Sequence, residues 1–453
     1  MDATTTETAA ATTQPQPTAA LPPGPRLPVI VQTLLWLLRP NRTMRRWRDR
    51  YGDVYTVRLA MQGSAVQVGD PALLKGIFAS KPDDARAGEA ASILEPLLGA
   101  NSVLCLDGRE HLRQRKLLLP PFHGERMQRY GEVIARVTEE ELRSWPVGTP
   151  FALRPAMQRI TLDVILRAVF GMDDSPQLDE LRPIVRDLVD TSRNPVAMLP
   201  WFRHDLGPHS PWGRLLRMRA RADALIFDLI RTRRADPDVA ERDDVLSMLV
   251  QARDENGEAM TEQELRDELM TLLIAGHETT ATALAWCFNL LLTHPEELRR
   301  LGDDLDAGST TRLDAVIKES MRMRPVVSIV ARVLHAPMRL GRWTLPPGVL
   351  VAPNIELVHH NPRLYPDPER FDPGRFVDKQ VETYEWLPFG GGIRRCLGAS
   401  FAVFEMRTVI PIVLRRAGSL RLVEQRMDAV RRRAVVMVPE HGVRVVLERP
   451  LAA

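Results

Sequence analysis

The residues best suited to chemistry lie in one loop, Phe389–Gly398, whose sequence is FGGGIRRCLG. Its four glycines permit backbone dihedrals and close approaches that a Cβ atom would forbid. Cys396 precedes an apolar stretch with helical spacing, so helix-end amides and the charges of Arg394 and Arg395 should lower the pKa of its thiol. The resulting thiolate could bind a metal or act as an activated nucleophile. The glycines could instead form a tight turn around a buried cysteine.

Polar residues also interrupt the long apolar segment Leu272–Leu292, where Ala275–Thr280 reads AGHETT. Gly276 costs about 1 kcal/mol relative to Ala inside a helix, which suggests a local opening that directs polar groups at a ligand. The simpler interpretation is a buried core helix whose threonine hydroxyls bond back to the preceding turn. Glu278 makes a membrane span costly. A zinc-protease motif fails because Ala281 stands where it needs a histidine.

Other charged residues have spacings that bring them together. Glu319 and Arg322 stand at i, i+3 of a helical segment, where an exposed ion pair would contribute only about 0.2–0.5 kcal/mol. His111 and Arg115 stand at i, i+4 and therefore share a helix face. Taken alone, each pair is explained equally well by a solvated surface.

Helical periodicity dominates the chain and places these residues on helices or at their ends. The predicted helices are Ile160–Phe170, Arg214–Arg234, Asp244–Ala252, Thr261–Leu292, Pro295–Leu305, Leu313–Met323 and Gly398–Arg416. Turn residues predict three hairpins: Val54–Leu59 with Ala65–Val68, Arg342–Leu345 with Val349–Ala352, and Ala434–Val438 with Val443–Leu447. The fold class predicted is mainly α with small β-sheets, in a single domain, rather than an alternating α/β layout.

The composition excludes several functional classes. The 453 residues include 61 Lys+Arg and 58 Asp+Glu, a net charge of +3, and 44% are hydrophobic. This is ordinary for a globular protein and unlike a disordered, collagen-like or polytopic membrane chain. The near-zero net charge argues against nucleic acid as a partner. Three cysteines cannot make a disulfide framework and favour a reducing compartment, hence a cytoplasmic location.

The N-terminal segment has two distinct parts. Residues 1–20 are rich in Thr, Ala, Gln and Pro and predict a disordered tail rather than a targeting peptide, so the folded domain is expected to span residues 21–453. The apolar run Leu27–Leu38 is too short for a transmembrane segment, which needs about 20 residues. With the arginines between Arg42 and Arg50 it could lie on an anionic membrane, but an amphipathic helix that covers the domain is the favoured interpretation.

The cysteine loop fits the pattern F-G-x-G-x-R-x-C-x-G at every specified position and resembles the heme-binding loop of the cytochrome P450 family. AGHETT at 275–280 resembles the oxygen-activating segment of that family, and Glu319 with Arg322 resembles its E-x-x-R pair. The motifs occur in family order, and the resemblance covers nearly all of the chain after residue 21. It implies a single-domain cytochrome P450 fold with heme b as the cofactor.

The resemblance also implies a role for each site residue. Cys396 would be the axial ligand of the heme iron. Thr279 and Glu278 would deliver protons to dioxygen, which requires one group beside the oxygen and one facing solvent. A buried structural network would consist of Glu319, Arg322 and Arg370, the last from the segment Pro368–Phe371. The remaining heme-binding residues, several of them propionate ligands, would be His111, Arg115, Arg332, Arg394, Phe389 and Gly398.

The function implied is a heme-thiolate monooxygenase that inserts one oxygen atom of O2 into a hydrophobic small molecule. The 453 residues contain no segment expected to bind flavin, so electrons are expected from a separate ferredoxin or flavodoxin with its reductase. Basic residues near the heme-binding segments could attract an acidic donor, although solvated surface charge explains them equally well: Arg113, Lys116, Arg394 and Arg395. The alternatives are a peroxide-dependent or isomerising heme-thiolate enzyme and a non-catalytic heme-containing binding protein.

Overall fold

The computed structural model of the protein describes residues 21–60, 62–122, 126–171, 176–192, 204–205, 207, 210–379 and 381–452. The predicted tail at residues 1–20 lies outside these ranges. Helices predominate within them. Their bounds are α1 Val29–Leu38, α2 Pro40–Tyr51, α3 Pro71–Phe78, α4 Ala87–Ala91, α5 Glu95–Leu98, α6 Gly108–Leu118, α7 Arg126–Leu142, α8 Leu153–Phe170, α9 Pro176–Ser192, α10 Pro211–Ala235, α11 Val245–Gln251, α12 Glu262–Thr293, α13 Pro295–Asp306, α14 Thr311–Met323, α15 Ile355–His359 and α16 Ala399–Arg416.

The predicted helices are confirmed, and their ends are set by capping residues. α12 begins with a capping box, in which the Thr261 hydroxyl accepts the Glu264 N–H and the Glu264 carboxylate accepts the Thr261 N–H. α10 begins earlier than predicted because Ser210 caps it, its hydroxyl accepting the Gly213 N–H. α8 also begins earlier, at Leu153, whose side chain is fully buried.

α12 is the central element of the fold. Its side chains are buried over almost its whole length, and it packs against α8, α10, α14 and α16. Because other helices surround it, α12 is apolar on nearly every face, which explains why its sequence resembles a membrane span. In the part of the chain that the structure describes, no helix is long and apolar enough to cross a membrane.

The strands are short. Their bounds are β1 Val54–Leu59, β2 Gly63–Val68, β3 Ala85–Arg86, β4 Phe151–Ala152, β5 Arg332–Leu334, β6 Met338–Leu340, β7 Trp343–Leu345, β8 Leu350–Pro353, β9 Leu420–Leu422, β10 Val430–Arg433, β11 Val436–Pro439 and β12 Arg444–Leu447. A five-stranded sheet has the order β1-β2-β8-β5-β3, and the other strands pair as β6-β7, β10-β11 and β4-β12-β9. The predicted β1–β2 hairpin is confirmed, with register from Val54↔Val68 to Leu59↔Gly63.

The other two predicted hairpins are wrong in their pairing. β7 pairs with β6 across the two-residue loop 341–342, in which Gly341 has a φ of +58°, while β8 joins β2 and β5 instead. β11 pairs with β10 across residues 434–435, and β12 pairs with β4 and β9. In both cases the chain forms its hairpin across a two-residue loop, and not across the Pro/Gly-containing segment that follows.

Candidate active site

The cysteine loop is folded back on itself by backbone hydrogen bonds. The Cys396 N–H donates to the Phe389 carbonyl at 3.0 Å, and the loop then enters α16 with Gly398 as the N-cap. Gly392 has a φ of +64°, and a Cβ atom there would collide with the carbonyl of Phe78. This position therefore needs glycine for both its conformation and its close approach.

The environment of the Cys396 thiol combines exposure of the residue with desolvation of its sulfur. The residue is exposed to solvent, yet desolvation by surrounding protein is the largest influence on its thiol. The Gly398 N–H, Arg115 and Arg395 favour the thiolate, but burial outweighs them and raises the pKa of the thiol. The prediction of a lowered pKa is therefore wrong for the chain by itself. A metal ion that bound the sulfur would reverse this, since a coordinating thiol is deprotonated.

Two arginine side chains, the buried Arg332 and the half-buried Arg394, converge beside this loop. Arg394 donates to two backbone carbonyls of the α5–α6 connection and to Asp107 at 2.5 Å. Arg332 donates to the Ile77 carbonyl at 2.9 Å and lies over the ring of Phe78. Both guanidinium groups line one cavity. Burial, together with the charge of Arg394, lowers the pKa of Arg332 to about 10, so these cations are incompletely compensated by the chain.

His111 and Arg115 approach the same cluster from α6. Burial, then the charges of Arg394 and Arg115, lower the pKa of His111 to about 3. The buried Nδ1 of His111 has no hydrogen-bond partner among the described residues. Concentrated positive charge beside an unsatisfied imidazole nitrogen is a site for an anionic group. The two propionates of a heme fit these residues, and the Cys396 thiol fits its iron.

One face of α12 is accessible although the helix is otherwise buried. Leu272, Ala275, Gly276 and Thr279 are exposed or half-buried, and their spacing of three or four residues places them on one stripe. α12 therefore borders an internal recess. The helix is continuous through Gly276, without the predicted opening. The hydroxyls of Thr279 and Thr280 donate to carbonyls of the preceding turn, at 2.7 and 3.0 Å.

Glu278 lies about 100° around the helix from Thr279 and is buried. Its carboxylate accepts hydrogen bonds from Arg154 and from Gln158 at 2.5 Å, both on α8. The proton relay that the resemblance implies needs one group that faces solvent, and Glu278 does not face solvent in the structure because its carboxylate is held in a buried ion pair. The AGHETT motif could not indicate this, since the partners lie more than a hundred residues earlier in the chain.

Glu319 and Arg322 are fully buried on α14 and form a two-pronged ion pair with N–O distances of 2.6 and 2.9 Å. Arg322 also donates to the His359 carbonyl at 2.7 Å, and Glu319 accepts the Asp372 N–H at 3.0 Å. The His359 imidazole Nε2 accepts the Leu387 N–H at 2.8 Å. This network ties α14 to the segment that leads into the cysteine loop. The sequence did not single out His359.

Arg370 does not join the network through its side chain, contrary to the prediction. That side chain is exposed, and only the Arg370 carbonyl approaches Arg322, at 3.5 Å. Arg375 takes the position instead, with its Nε 3.5 Å from Glu319, because the turn Pro373–Phe376 packs against α14. The dipeptide Arg-Phe occurs at both 370–371 and 375–376. The second Arg-Phe dipeptide is the sequence feature that could have indicated Arg375.

Comparison with known proteins agrees with this geometry. The family model described as cytochrome P450 matches residues 22–440. Putative cytochrome P450 135B1 of Mycobacterium bovis is 44% identical over 431 residues, which cover 94% of this chain and 91% of the relative. Putative cytochrome P450 138 of Mycobacterium tuberculosis is 40% identical over 434 residues, covering 96% and 97%. The solved structure of retinoic acid-bound cyanobacterial CYP120A1 superposes with a TM-score of 0.80 at 24% identity, covering 97% of this chain and 99% of that one.

An accessible thiol, with several cations and an unsatisfied imidazole nearby, has the features of a heme-thiolate site. The match over residues 22–440 and the identities of 44% and 40% make the assignment specific: the chain belongs to the cytochrome P450 family. It is a heme-thiolate monooxygenase by family, with the mainly helical, single-domain fold of that family.

Proposed function

We propose that the protein inserts one oxygen atom of O2 into a hydrophobic small molecule, with heme b as cofactor and Cys396 as its axial ligand. The observation that carries the proposal is the accessible Cys396 thiol beside the Gly398 N–H and the charges of Arg115 and Arg395. A heme with a thiolate ligand supplies electron density that favours O–O cleavage.

The chain would hold this cofactor through residues of distinct kinds. Phe389 and Gly398 fix the ends of the cysteine loop by accepting and donating backbone hydrogen bonds. The propionates would be bound by four cationic or neutral donors: His111, Arg115, Arg332 and Arg394. Binding would satisfy the His111 Nδ1 and offset the repulsion among the arginines.

The test is a carbon monoxide difference spectrum of the reduced protein, with a pyridine hemochrome assay to identify heme b. We expect the thiolate signature in the natural protein and its loss in Cys396→Ser. Cys287→Ser is the matched control, because Cys287 is a second, fully buried thiol. An unchanged Soret signature in Cys396→Ser would overturn the proposal.

Thr279 is proposed to deliver protons to oxygen, since its hydroxyl lies on the accessible stripe of α12. Glu278 can act as its acid partner only if the ion pair with Arg154 opens during turnover. Thr279→Ala is expected to divert reducing equivalents from product to hydrogen peroxide. Glu278→Gln keeps an acceptor for Arg154 but removes the acid. Full product yield in that variant would assign Glu278 a structural role.

The same ion pair is the observation that favours a second candidate function, a peroxide-dependent enzyme. Such an enzyme has less need of a proton-delivering acid, and Glu278 is held by Arg154 and Gln158. Turnover with peroxide, and none with O2 and a reductase system, would support it. A ligand-induced spin shift without any product would instead indicate a binding protein.

A hydrophobic substrate is supported by apolar side chains on the accessible stripe of α12 and in the cysteine loop. Leu272, Phe389 and Leu397 are partly buried and pack on one hydrophobic cluster. A screen of apolar compounds for spin-state shifts would test this.

The electron donor is proposed to be a separate acidic ferredoxin or flavodoxin with its reductase, in the cytoplasm. Arg113 contributes less than its sequence position suggests, because Asp254 and Glu264 pair with it at 2.6 and 2.7 Å. Lys116 and Arg395 are exposed. Lys116→Glu combined with Arg395→Glu should slow donor-supported turnover and weaken its salt dependence. The exposed Arg339→Glu is the control, and unchanged turnover in the double variant would remove the proposal.

A further inference from the structure

Helix α1 has an inverted distribution of polar and apolar side chains. Its glutamine, Gln32, is only 1% exposed, whereas Ile30 is 69% exposed and Leu38 is 74% exposed. A surface helix of a globular protein normally buries its apolar face and exposes its polar one. The expected amphipathic helix is therefore present with its apolar side outward.

Hydrogen bonds fix α1 in this orientation. The Gln32 side chain donates to the Leu27 carbonyl at 2.7 Å and accepts the Arg58 N–H of β1 at 2.9 Å. The Thr33 hydroxyl accepts the Ala60 N–H at 3.0 Å. Both polar side chains therefore form hydrogen bonds with the rest of the protein. The remaining outward surface of α1 is apolar.

The exposed apolar side chains form one patch. Of the fourteen large apolar side chains that are exposed in the described chain, eight lie between Leu27 and Leu38. Scattered exposed apolar residues need no explanation, but a contiguous patch rimmed by polar residues marks an interaction surface.

The rim of this patch is strongly basic. Residues 26–50 contain seven arginines and one aspartate, a formal charge of +6, whereas the whole chain carries +3. Arg26, Arg39, Arg42 and Arg46 are exposed, and none makes an ion pair with a described residue. An apolar patch bordered by free arginines matches a surface that is apolar inside and anionic at its edge.

We propose that α1 and the start of α2 dock the protein on an anionic lipid bilayer, with α1 lying in the plane of the interface. Its ten residues span about 15 Å, too short to cross a hydrocarbon core of about 30 Å. The apolar side chains enter the boundary between headgroups and acyl chains, and the arginines contact lipid phosphates. This proposal does not depend on the reaction at Cys396.

Two other occupants fit the surface less well. A second copy of the chain would bring its own arginine-rich rim against this one, and like charges oppose such contact. Residues 1–20 contain chiefly Thr, Ala, Gln and Pro and offer no large apolar side chain beyond Met1. Neither complements both the apolar patch and its charge.

The experiment is co-sedimentation of the full-length, heme-loaded protein with vesicles. One set contains phosphatidylcholine alone, and the other contains equal parts of phosphatidylcholine and phosphatidylglycerol. We expect binding to the anionic vesicles that weakens with added salt, and little binding to the neutral ones. Ile30→Gln with Leu34→Gln should lower the affinity at least tenfold, and Arg42→Gln with Arg46→Gln about tenfold.

Matched controls replace residues of similar exposure elsewhere. Val147→Gln with Val423→Gln, and Arg143→Gln with Arg339→Gln, should leave vesicle binding unchanged. Equal binding to both vesicle types would overturn the assignment to anionic lipid. So would concentration-dependent dimerisation without vesicle binding, or vesicle binding that appears only after residues 1–20 are removed.

Discussion

Two charged clusters are linked to the cysteine loop or to the segment that precedes it, and they differ in whether the chain itself supplies all of their partners. In the α14 cluster, Glu319 and Arg322 pair through two short bonds, and their remaining atoms contact the backbone at His359 and Asp372. In the loop cluster, Arg332 and its neighbours repel one another, and the Nδ1 of His111 has no described partner.

This difference distinguishes charged groups that stabilise the fold from charged groups that bind a ligand. A buried ion pair that satisfies its own atoms stabilises the fold only while both partners are present. A group of cations with too few carboxylates, here Asp107 beside Arg394, lowers stability until a further anion binds. We therefore expect the first cluster to stabilise the fold, and we propose that the second takes part in binding the cofactor.

The largest effect is expected from Glu319→Ala, which leaves Arg322 buried without its carboxylate. The free energy of unfolding should fall by about 3–5 kcal/mol, measured by chemical denaturation, or the protein should fail to fold and take up heme. Glu296→Ala in α13 is the control, because that side chain is exposed and should change the free energy by less than about 0.5 kcal/mol. A soluble Glu319→Ala protein with normal heme content would contradict the structural role.

Arg332→Ala should weaken heme binding more than it weakens folding. Heme affinity is expected to fall about 10–100-fold, since a charged hydrogen bond contributes about 1.5–3 kcal/mol, while the heme-free protein loses less stability than Glu319→Ala does. Heme titration and denaturation of the same samples measure both quantities. Arg339→Ala on β6 is the exposed control. If the Arg332→Ala protein kept its heme affinity but lost much of its stability, Arg332 would be a residue that stabilises the fold and does not bind heme.

These two clusters also show what sequence could predict. The i, i+3 spacing identified Glu319 and Arg322, and the glycine-rich loop placed Cys396 at the start of a helix, because both features are local. The sequence could not indicate that Arg154 and Gln158 hold Glu278, since that contact depends on how α8 packs on α12.

The pairing of the short strands was missed for a related reason. Alternation of apolar residues located β7, β8, β11 and β12 approximately, but it carries no information on which neighbour each strand bonds. Local two-residue loops and the five-stranded sheet decided the partners.

Acid should weaken the α14 cluster through His359. Burial, then the charge of Arg322, lower the pKa of this histidine from 6.5 to about 3. Below pH 6.5 the unfolded chain therefore binds a proton that the folded protein does not, so stability falls as the pH falls toward 3. One such group contributes about 1 kcal/mol between pH 6.5 and 5.5. His359→Gln should show a smaller fall over that interval in denaturation experiments. Identical pH dependence in His359→Gln would contradict this assignment.

The smallest effect distinguishes the two arginines that could close the α14 cluster. Arg370→Ala should change the free energy of unfolding by less than about 0.5 kcal/mol, because that side chain is exposed and the carbonyl that approaches Arg322 is retained. Arg375→Ala should cost about 1 kcal/mol, since it removes the contact with Glu319 and a hydrogen bond to the Asp367 carbonyl at 3.0 Å. Denaturation of both variants measures the difference. A larger loss for Arg370→Ala than for Arg375→Ala would contradict this assignment. It would restore Arg370 as the arginine that completes the α14 cluster, as the Pro368–Phe371 segment suggests.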